Sequence, residues 1–203
     1  MKIICIGRNY VKHAQELKND IPEEPVFFMK PDSALLLGNK PFYIPDFSND
    51  LHYEVELILK ISRLGKNIEP RFAHRYYNEI GLGIDFTARD IQRKLSEKGL
   101  PWEKAKAFDS SAVLGDFVPK EELGDLADIR FSLLKNGEIV QDGHSADMIF
   151  PFDSIVAHVS KYVTLKIGDL IYTGTPAGVG PVNIDDRLEG FLAGKKMFDF
   201  MVK

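Results

Sequence analysis

Cysteine is almost missing from this chain: Cys5 is the only one in 203 residues. That excludes an intramolecular disulfide and any thiolate metal cluster, and it fits a reducing compartment. The flanking run Ile3-Ile4-Cys5-Ile6 is apolar, so the thiol reads as a buried strand residue. No stretch approaches the roughly 20 apolar residues that a membrane helix needs. The start, Met1-Lys2-Ile3-Ile4-Cys5-Ile6-Gly7-Arg8, carries too short an apolar run for a signal-peptide core. The expectation is a cytoplasmic protein with no membrane partner. An excess of positive charge is also lacking: the formal net charge is -4, with Lys and Arg scattered along the chain, so no nucleic-acid partner is expected. Nor is there an internal repeat, a low-complexity tract or a Gly/Ser/Pro-rich linker, and the length suits one domain with a sizeable core, residues 1–203. What is present, 44% hydrophobic and 28% charged residues, is ordinary for a globular domain.

Patterning predicts a first strand over Lys2–Gly7, a helix over Tyr10–Lys18 ended by Asn19-Asp20-Ile21-Pro22, and a short strand over Val26–Met29 stopped by Lys30-Pro31. Turn signals at Gly38, Pro41 and Pro45 follow. A helix is expected over Glu69–Tyr77 with Pro70 in its first turn, then a strand over Glu79–Phe86. Thr87-Ala88-Arg89-Asp90 resembles a capping box opening a helix to about Lys98, terminated by Gly99 and Pro101. Strands are expected over Phe131–Leu134, Ile139–Asp142 and Leu170–Tyr172, with Asn136-Gly137 as a two-residue hairpin turn, and a helix over Asp153–Lys161. Many short strands with few helices give a β-rich α+β class rather than a doubly wound parallel sheet.

Two acids interrupt one of the apolar strands. In Leu51-His52-Tyr53-Glu54-Val55-Glu56-Leu57-Ile58-Leu59, alternation puts Leu51, Tyr53, Val55, Leu57 and Leu59 on one face and Glu54 and Glu56 on the other. The two carboxylates are then about 7 Å apart at Cβ, a spacing that suits one cation held between them. Without a cation, like charges that close push at least one pKa up. A solvated face of an antiparallel sheet is the alternative reading. Asp85, at a strand end just before a helix, would supply a third oxygen ligand. An oxygen-only set selects a hard ion such as Mg²⁺ or Mn²⁺ and leaves about three octahedral positions for water and substrate. His52 shares the acidic face but lies about 13 Å along the strand from Glu56, too far for one ion to take all three, so it reads as a supporting residue.

Other groups could serve the same site. His13 and Glu16, three apart on a helix, could form an imidazole–carboxylate pair able to act as a general base, or a plain surface pair. Arg89 and Gln92, again three apart, could present donors to an anion. Spacing cannot choose between Lys104 and Lys106 as a further cation. Thr173-Gly174-Thr175-Pro176-Ala177-Gly178-Val179-Gly180 is glycine-dense enough to cradle a carboxylate on backbone N–H groups, or to be a tight turn; it lacks the Gly-Lys-Ser/Thr ending of a Walker loop.

Together these segments resemble the fumarylacetoacetate hydrolase superfamily, in particular its acylpyruvate hydrolase / oxaloacetate decarboxylase branch. The matching stretches are Gly7-Arg8-Asn9-Tyr10 with His13 and Glu16, Phe28-Met29-Lys30-Pro31, His52-Tyr53-Glu54-Val55-Glu56 and Asp85-Phe86-Thr87-Ala88-Arg89-Asp90. Gly99-Leu100-Pro101-Trp102 with Lys106, Met148-Ile149-Phe150, and Thr173-Gly174-Thr175-Pro176 with Gly178-Val179-Gly180 complete them in the family's order. The resemblance implies a mixed β-sandwich roll, a homodimer, and one Mg²⁺ or Mn²⁺ on Glu54, Glu56 and Asp85. It implies His13, Glu16 and Lys106 as catalytic residues, and Arg8, Arg89, Gln92, Gly174 and Thr175 as substrate-binding ones. The implied activity is metal-dependent hydrolysis of the C–C bond of acylpyruvates to pyruvate and a carboxylic acid, decarboxylation of oxaloacetate through a metal-stabilised enolate, or both, on a small 2-oxo acid. Tautomerisation or isomerisation of oxaloacetate or of 2-hydroxy-dienoates would use the same enolate. A metal-stabilised binding module without catalysis is the alternative of another class. The chain departs from the pattern at His144-Ser145-Ala146-Asp147, where small hydroxyl residues are expected, and lacks the extra N-terminal domain of larger members.

Overall fold

The computed structural model describes residues 1–16, 20–37 and 39–203. In chain order its strands and helices are β1 Ile3–Gly7, α1 Val11–Glu16, β2 Val26–Lys30, β3 Leu35–Leu37, β4 Leu51–Tyr53, β5 Val55–Ile61, β6 Tyr77–Asp85, β7 Thr87–Ala88, α2 Arg89–Glu97, α3 Glu103–Lys106 and β8 Ala112–Pro119. Then come β9 Arg130–Lys135, β10 Glu138–His144, α4 Phe152–Tyr162, β11 Leu170–Tyr172, β12 Gly180–Pro181, β13 Arg187–Leu192 and β14 Lys195–Met201. Leu17, Lys18 and Asn19, which belong to the first expected helix and its stop, and the turn residue Gly38 lie outside the described residues.

A seven-stranded sheet ordered β2-β1-β11-β5-β6-β8-β3 forms the centre of the molecule, beside a four-stranded sheet β10-β9-β13-β14 and a three-stranded one β12-β4-β7. The large sheet is mixed: β1 runs parallel to β11 and β3 to β8, while the other neighbours are antiparallel. This is the β-rich α+β architecture that the many short strands predict. No helix among the described residues is long and apolar enough to cross a membrane.

The acidic segment is not one strand. It breaks at Glu54, so that β4 pairs with β7 and β12 while β5 pairs with β6 and β11. The alternation nonetheless holds across the break, since Leu51, Tyr53, Val55, Leu57 and Leu59 all enter one core. The opposite face is buried as well: Ile58 packs with Ile3, Cys5, Leu170 and Tyr172 in a second, smaller core. A central strand covered on both faces leaves no solvated side for Glu56, which disposes of the solvated-face alternative. Gly83 stands opposite Glu56 on β6, where a Cβ would meet the Val113 carbonyl oxygen at 2.0 Å and Ile58 Cδ1 at 2.6 Å.

Two local expectations need correcting. Pro70–Arg75 is a 3₁₀ helix, and Tyr77 already belongs to β6, because the segment is drawn into sheet pairing before an α-helix can propagate. The capping box does not form: Ala88 holds the cap position with no side-chain bond. Thr87 instead accepts a hydrogen bond from Lys106 Nζ, and Asp90 accepts from the Ser48 hydroxyl (2.7 Å) and the Ile91 N–H (2.9 Å). The Asn136-Gly137 turn forms as its type demands, with φ of 55° and 86° joining β9 to β10.

Candidate active site

Glu54, Glu56 and Asp85 meet at the seam where β4 passes into β5. The Glu54 carbonyl accepts the Asp85 N–H (2.8 Å), locking the strand break to the end of β6. The three side chains are buried, at 5%, 2% and 1% exposure. One carboxylate oxygen from each lies within 4.8 Å of the others.

Three cations stand among them, in an uneven distribution. Lys106, on α3, donates to Glu54 Oε2 and Asp85 Oδ2, both at 2.8 Å, and to Thr87 Oγ1 at 2.5 Å. Lys30, at the end of β2, lies 2.7 Å from Asp85 Oδ1 and donates to Ser111 Oγ (2.9 Å) and the Ser111 carbonyl (3.0 Å). The Ser111 hydroxyl in turn donates to the Lys106 carbonyl (2.8 Å), so one serine anchors both lysines. Arg89, at the start of α2, pairs with Glu54 and donates to Gln92 Oε1 (2.6 Å). Glu56 has no cation of its own among the described residues; it accepts the Gly174 N–H at 2.7 Å. Gly174 has φ +99°, and a Cβ there would meet Asn9 Cβ at 2.6 Å, so the backbone reaches Glu56 only because the residue is glycine.

The titration behaviour follows this geometry. Burial opposes ionisation of Glu54, but Lys106 and Arg89 outweigh it and hold the carboxyl below the usual range. Glu56 is pushed well above it by burial and then by Asp85 and Glu54. Lys106, despite its burial, is held above its ordinary value by Asp85 and Glu54. A buried oxygen-only triad, one member of which is short of positive charge, fits a hard divalent ion.

The triad forms the floor of a cavity of about 400 Å³, the scale of small-molecule sites. His13, Lys106, Thr175, Arg8, Arg89 and Gln92 all line it. His13 is buried, with Nδ1 3.4 Å from Glu16 Oε2. Glu16 accepts the Gly178 N–H (3.3 Å to each oxygen), tying α1 to the glycine-dense loop. Burial lowers the His13 pKa from its ordinary value, favouring the neutral ring that can accept a proton. Of the two lysines that spacing left open, Lys106 is buried at the triad and Lys104 is exposed. His52 reaches the cavity wall with Nε2 2.8 Å from Asp50 Oδ1. His144 lies outside this cavity's lining, 2.6 Å from Asp128.

Two supporting residues escaped the reading of the sequence. Lys30 carried a signal, a lysine closing an apolar strand before Pro31, but nothing local says which acid it meets. Gln141 gave none: from β10 it accepts the Val55 N–H (2.9 Å) and donates to Thr175 Oγ1 (2.9 Å), joining the acid strand to the loop.

Fold and cavity together define a β-rich α+β protein whose cation-lined cavity has an acidic triad at its floor that could hold a metal ion. The family model described as fumarylacetoacetate (FAA) hydrolase C-terminal matches residues 2–198. Mouse (Mus musculus) oxaloacetate tautomerase FAHD1, mitochondrial, is 42% identical over 201 residues, 99% of this chain and 91% of that protein. A Dictyostelium discoideum oxaloacetate decarboxylase, mitochondrial, is 43% identical over 182 residues, 89% of this chain and 84% of its own. The crystal structure of fumarylpyruvate hydrolase from Pseudomonas aeruginosa in complex with Mn²⁺ and pyruvate matches with a TM-score of 0.94 and 34% identity, over 100% of this chain and 89% of that one. The chain belongs to the fumarylacetoacetate hydrolase C-terminal family, a family of enzymes.

Proposed function

We propose that this chain is a single catalytic domain that interconverts the enol and keto forms of oxaloacetate, with Glu54, Glu56 and Asp85 as ligands of one Mg²⁺ or Mn²⁺ ion. The observation that carries the reading is the convergence of three buried carboxylates, oxygens within 4.8 Å, at the floor of a cation-lined cavity. It is supported by near-full-length similarity to a protein named as an oxaloacetate tautomerase. A divalent ion held there would supply a Lewis acid that draws off charge as a 2-oxo acid enolises. Lys106 adds a fixed positive charge beside the developing oxyanion. His13, neutral at the cavity wall and oriented by Glu16, takes the enol proton and returns one to C3, so the reaction is balanced in protons.

A second reading, hydrolysis of an acylpyruvate, is favoured by that same His13–Glu16 pair. His13 would take a proton from water, the hydroxide would attack the distal carbonyl, and the C–C bond would break to release an acid and the enolate of pyruvate. Decarboxylation of oxaloacetate releases CO₂ and needs no attacking water. The test follows loss of oxaloacetate enol, release of CO₂ and cleavage of acetylpyruvate, with and without Mg²⁺. Enol loss above the spontaneous rate and dependent on Mg²⁺ is expected; its absence would refute the tautomerase reading. His13→Ala should cut acetylpyruvate cleavage by about 10²–10⁴ and CO₂ release far less. Parallel losses in those two activities would leave His13 a general positioning residue.

A further inference from the structure

We infer that Arg8 sets the substrate class of this site by binding the distal carboxylate of a 2-oxo dicarboxylate, an assignment that rests on the reading above of a 2-oxo acid seated at the triad. Arg8 has φ 59°, in the left-handed region that a non-glycine residue occupies only where its surroundings force it. Asn9 does the forcing. Fully buried, its side chain donates to the carbonyls of Phe150 (3.0 Å) and Thr173 (2.8 Å) and accepts the Phe150 N–H (2.8 Å). The turn between β1 and α1 is thereby clamped to two other loops, and the strain at Arg8 is retained while the guanidinium lines the cavity.

The cations around it are committed. Lys106 is held by Glu54 and Asp85, Arg89 by Glu54, and Arg93 by Asp50. Arg8 has no ion pair or side-chain hydrogen bond among the described residues, although it lines the same cavity. Its place beside the His13 segment decides which end of the ligand is assigned to it. The proposed proton transfer places C3 beside His13, and Arg8, five residues earlier in the chain, lines the same cavity, so the group beyond C3 is seated against Arg8 in the proposed binding mode. A carboxylate there would satisfy the guanidinium in its two-pronged geometry; a methyl group would leave it unpaired.

The experiment measures binding by calorimetry at saturating Mg²⁺ with malate and 2-hydroxybutyrate. These share one 2-hydroxy acid end and differ only in a carboxylate or a methyl group at the other, and neither has a 2-oxo group to enolise. Wild type should bind malate about tenfold to a hundredfold more tightly, the worth of charge-assisted hydrogen bonds. Arg8→Gln should abolish that preference while leaving 2-hydroxybutyrate binding unchanged. Arg8→Gly should abolish it too without lowering the melting temperature, because glycine adopts positive φ freely and backbone damage is thereby excluded. Absence of the preference in wild type, its survival in both variants, equal loss of both ligands, or failure of wild type to bind either would overturn the assignment. Should wild type prefer malate through Arg8 yet fail to accelerate loss of oxaloacetate enol, the proposed reaction falls and the carboxylate site stands.

Discussion

Replacing Lys106 by Met tests the charge arrangement of the site without relying on turnover. The side chain is 3% exposed and its ammonium bridges Glu54 and Asp85 at 2.8 Å each, so the substitution removes the cation that two buried carboxylates share. Methionine keeps most of the stem volume, and the cost is therefore mainly that of breaking a buried pair, about 3–5 kcal/mol. For a chain of this size each kcal/mol moves the melting temperature by about 2–4 °C, which predicts a fall of about 6–20 °C in EDTA. Lys104→Met, at an exposed position two residues away, should stay within about 0.5 kcal/mol of wild type. Saturating Mg²⁺ should then raise the melting temperature of Lys106→Met by more than it raises that of wild type, because the ion replaces the missing charge and no ammonium competes for the same oxygens. The assay is thermal unfolding of both variants and wild type in EDTA and in a Mg²⁺ titration. A fall of less than 2 °C in EDTA, or a smaller gain from Mg²⁺ in the variant than in wild type, would refute the assignment of these carboxylates as the ion site.

Two further outcomes follow. Burial holds the His13 pKa below its ordinary 6.5, so the folded ring stays neutral where an unfolded one takes up a proton. His13 therefore contributes stability that is present above pH 6.5 and lost as pH falls through the folded pKa, and the acid limb of acetylpyruvate cleavage should lie below pH 6.5; a limb at or above that value would remove His13 as its base. Gly83→Ala places a Cβ 2.0 Å from the Val113 carbonyl oxygen and should cost about 3 kcal/mol or more, read as a lower urea midpoint at unchanged slope; a midpoint equal to wild type would mean that β6 and β8 part at no cost.

The fold class was legible because strand periodicity and turn chemistry are local. The Asn136-Gly137 hairpin and the shared face of Leu51 through Leu59 both came out as patterned. Candidate acids were legible for the same reason, since a glutamate inside an apolar strand contradicts its surroundings. What was not legible depends on distant partners. The break at Glu54 arises because β4 and β5 pair with different sheets, which no window of sequence contains. The capping box at Thr87 failed because Lys106, 19 residues on, takes its hydroxyl. Lys30 meets Asp85 and Ser111 across 55 and 81 positions, and Gln141 meets Val55 across 86.

The placement of Lys30 changes the electrostatic argument for the site. Three buried carboxylates with only Lys106 and Arg89 to offset them would sum to about -1, and a divalent ion would bring the site to only about +1 toward an anionic substrate. With Lys30 fixed on Asp85, three cations face three acids, and the one acid without a cation, Glu56, is also the one whose carboxyl is pushed up by burial and its acidic neighbours. Lys106 and Arg89 hold the Glu54 carboxyl below the usual range, and Lys30 and Lys106 hold the Asp85 side chain in place from both sides. With a divalent ion bound the floor would carry net positive charge, and Arg8, which has no ion pair among the described residues, lines the same cavity. Two positive groups in one cavity attract a dianion more strongly than a monoanion. This charge distribution supports the proposed dicarboxylate substrate through the same unpaired Arg8.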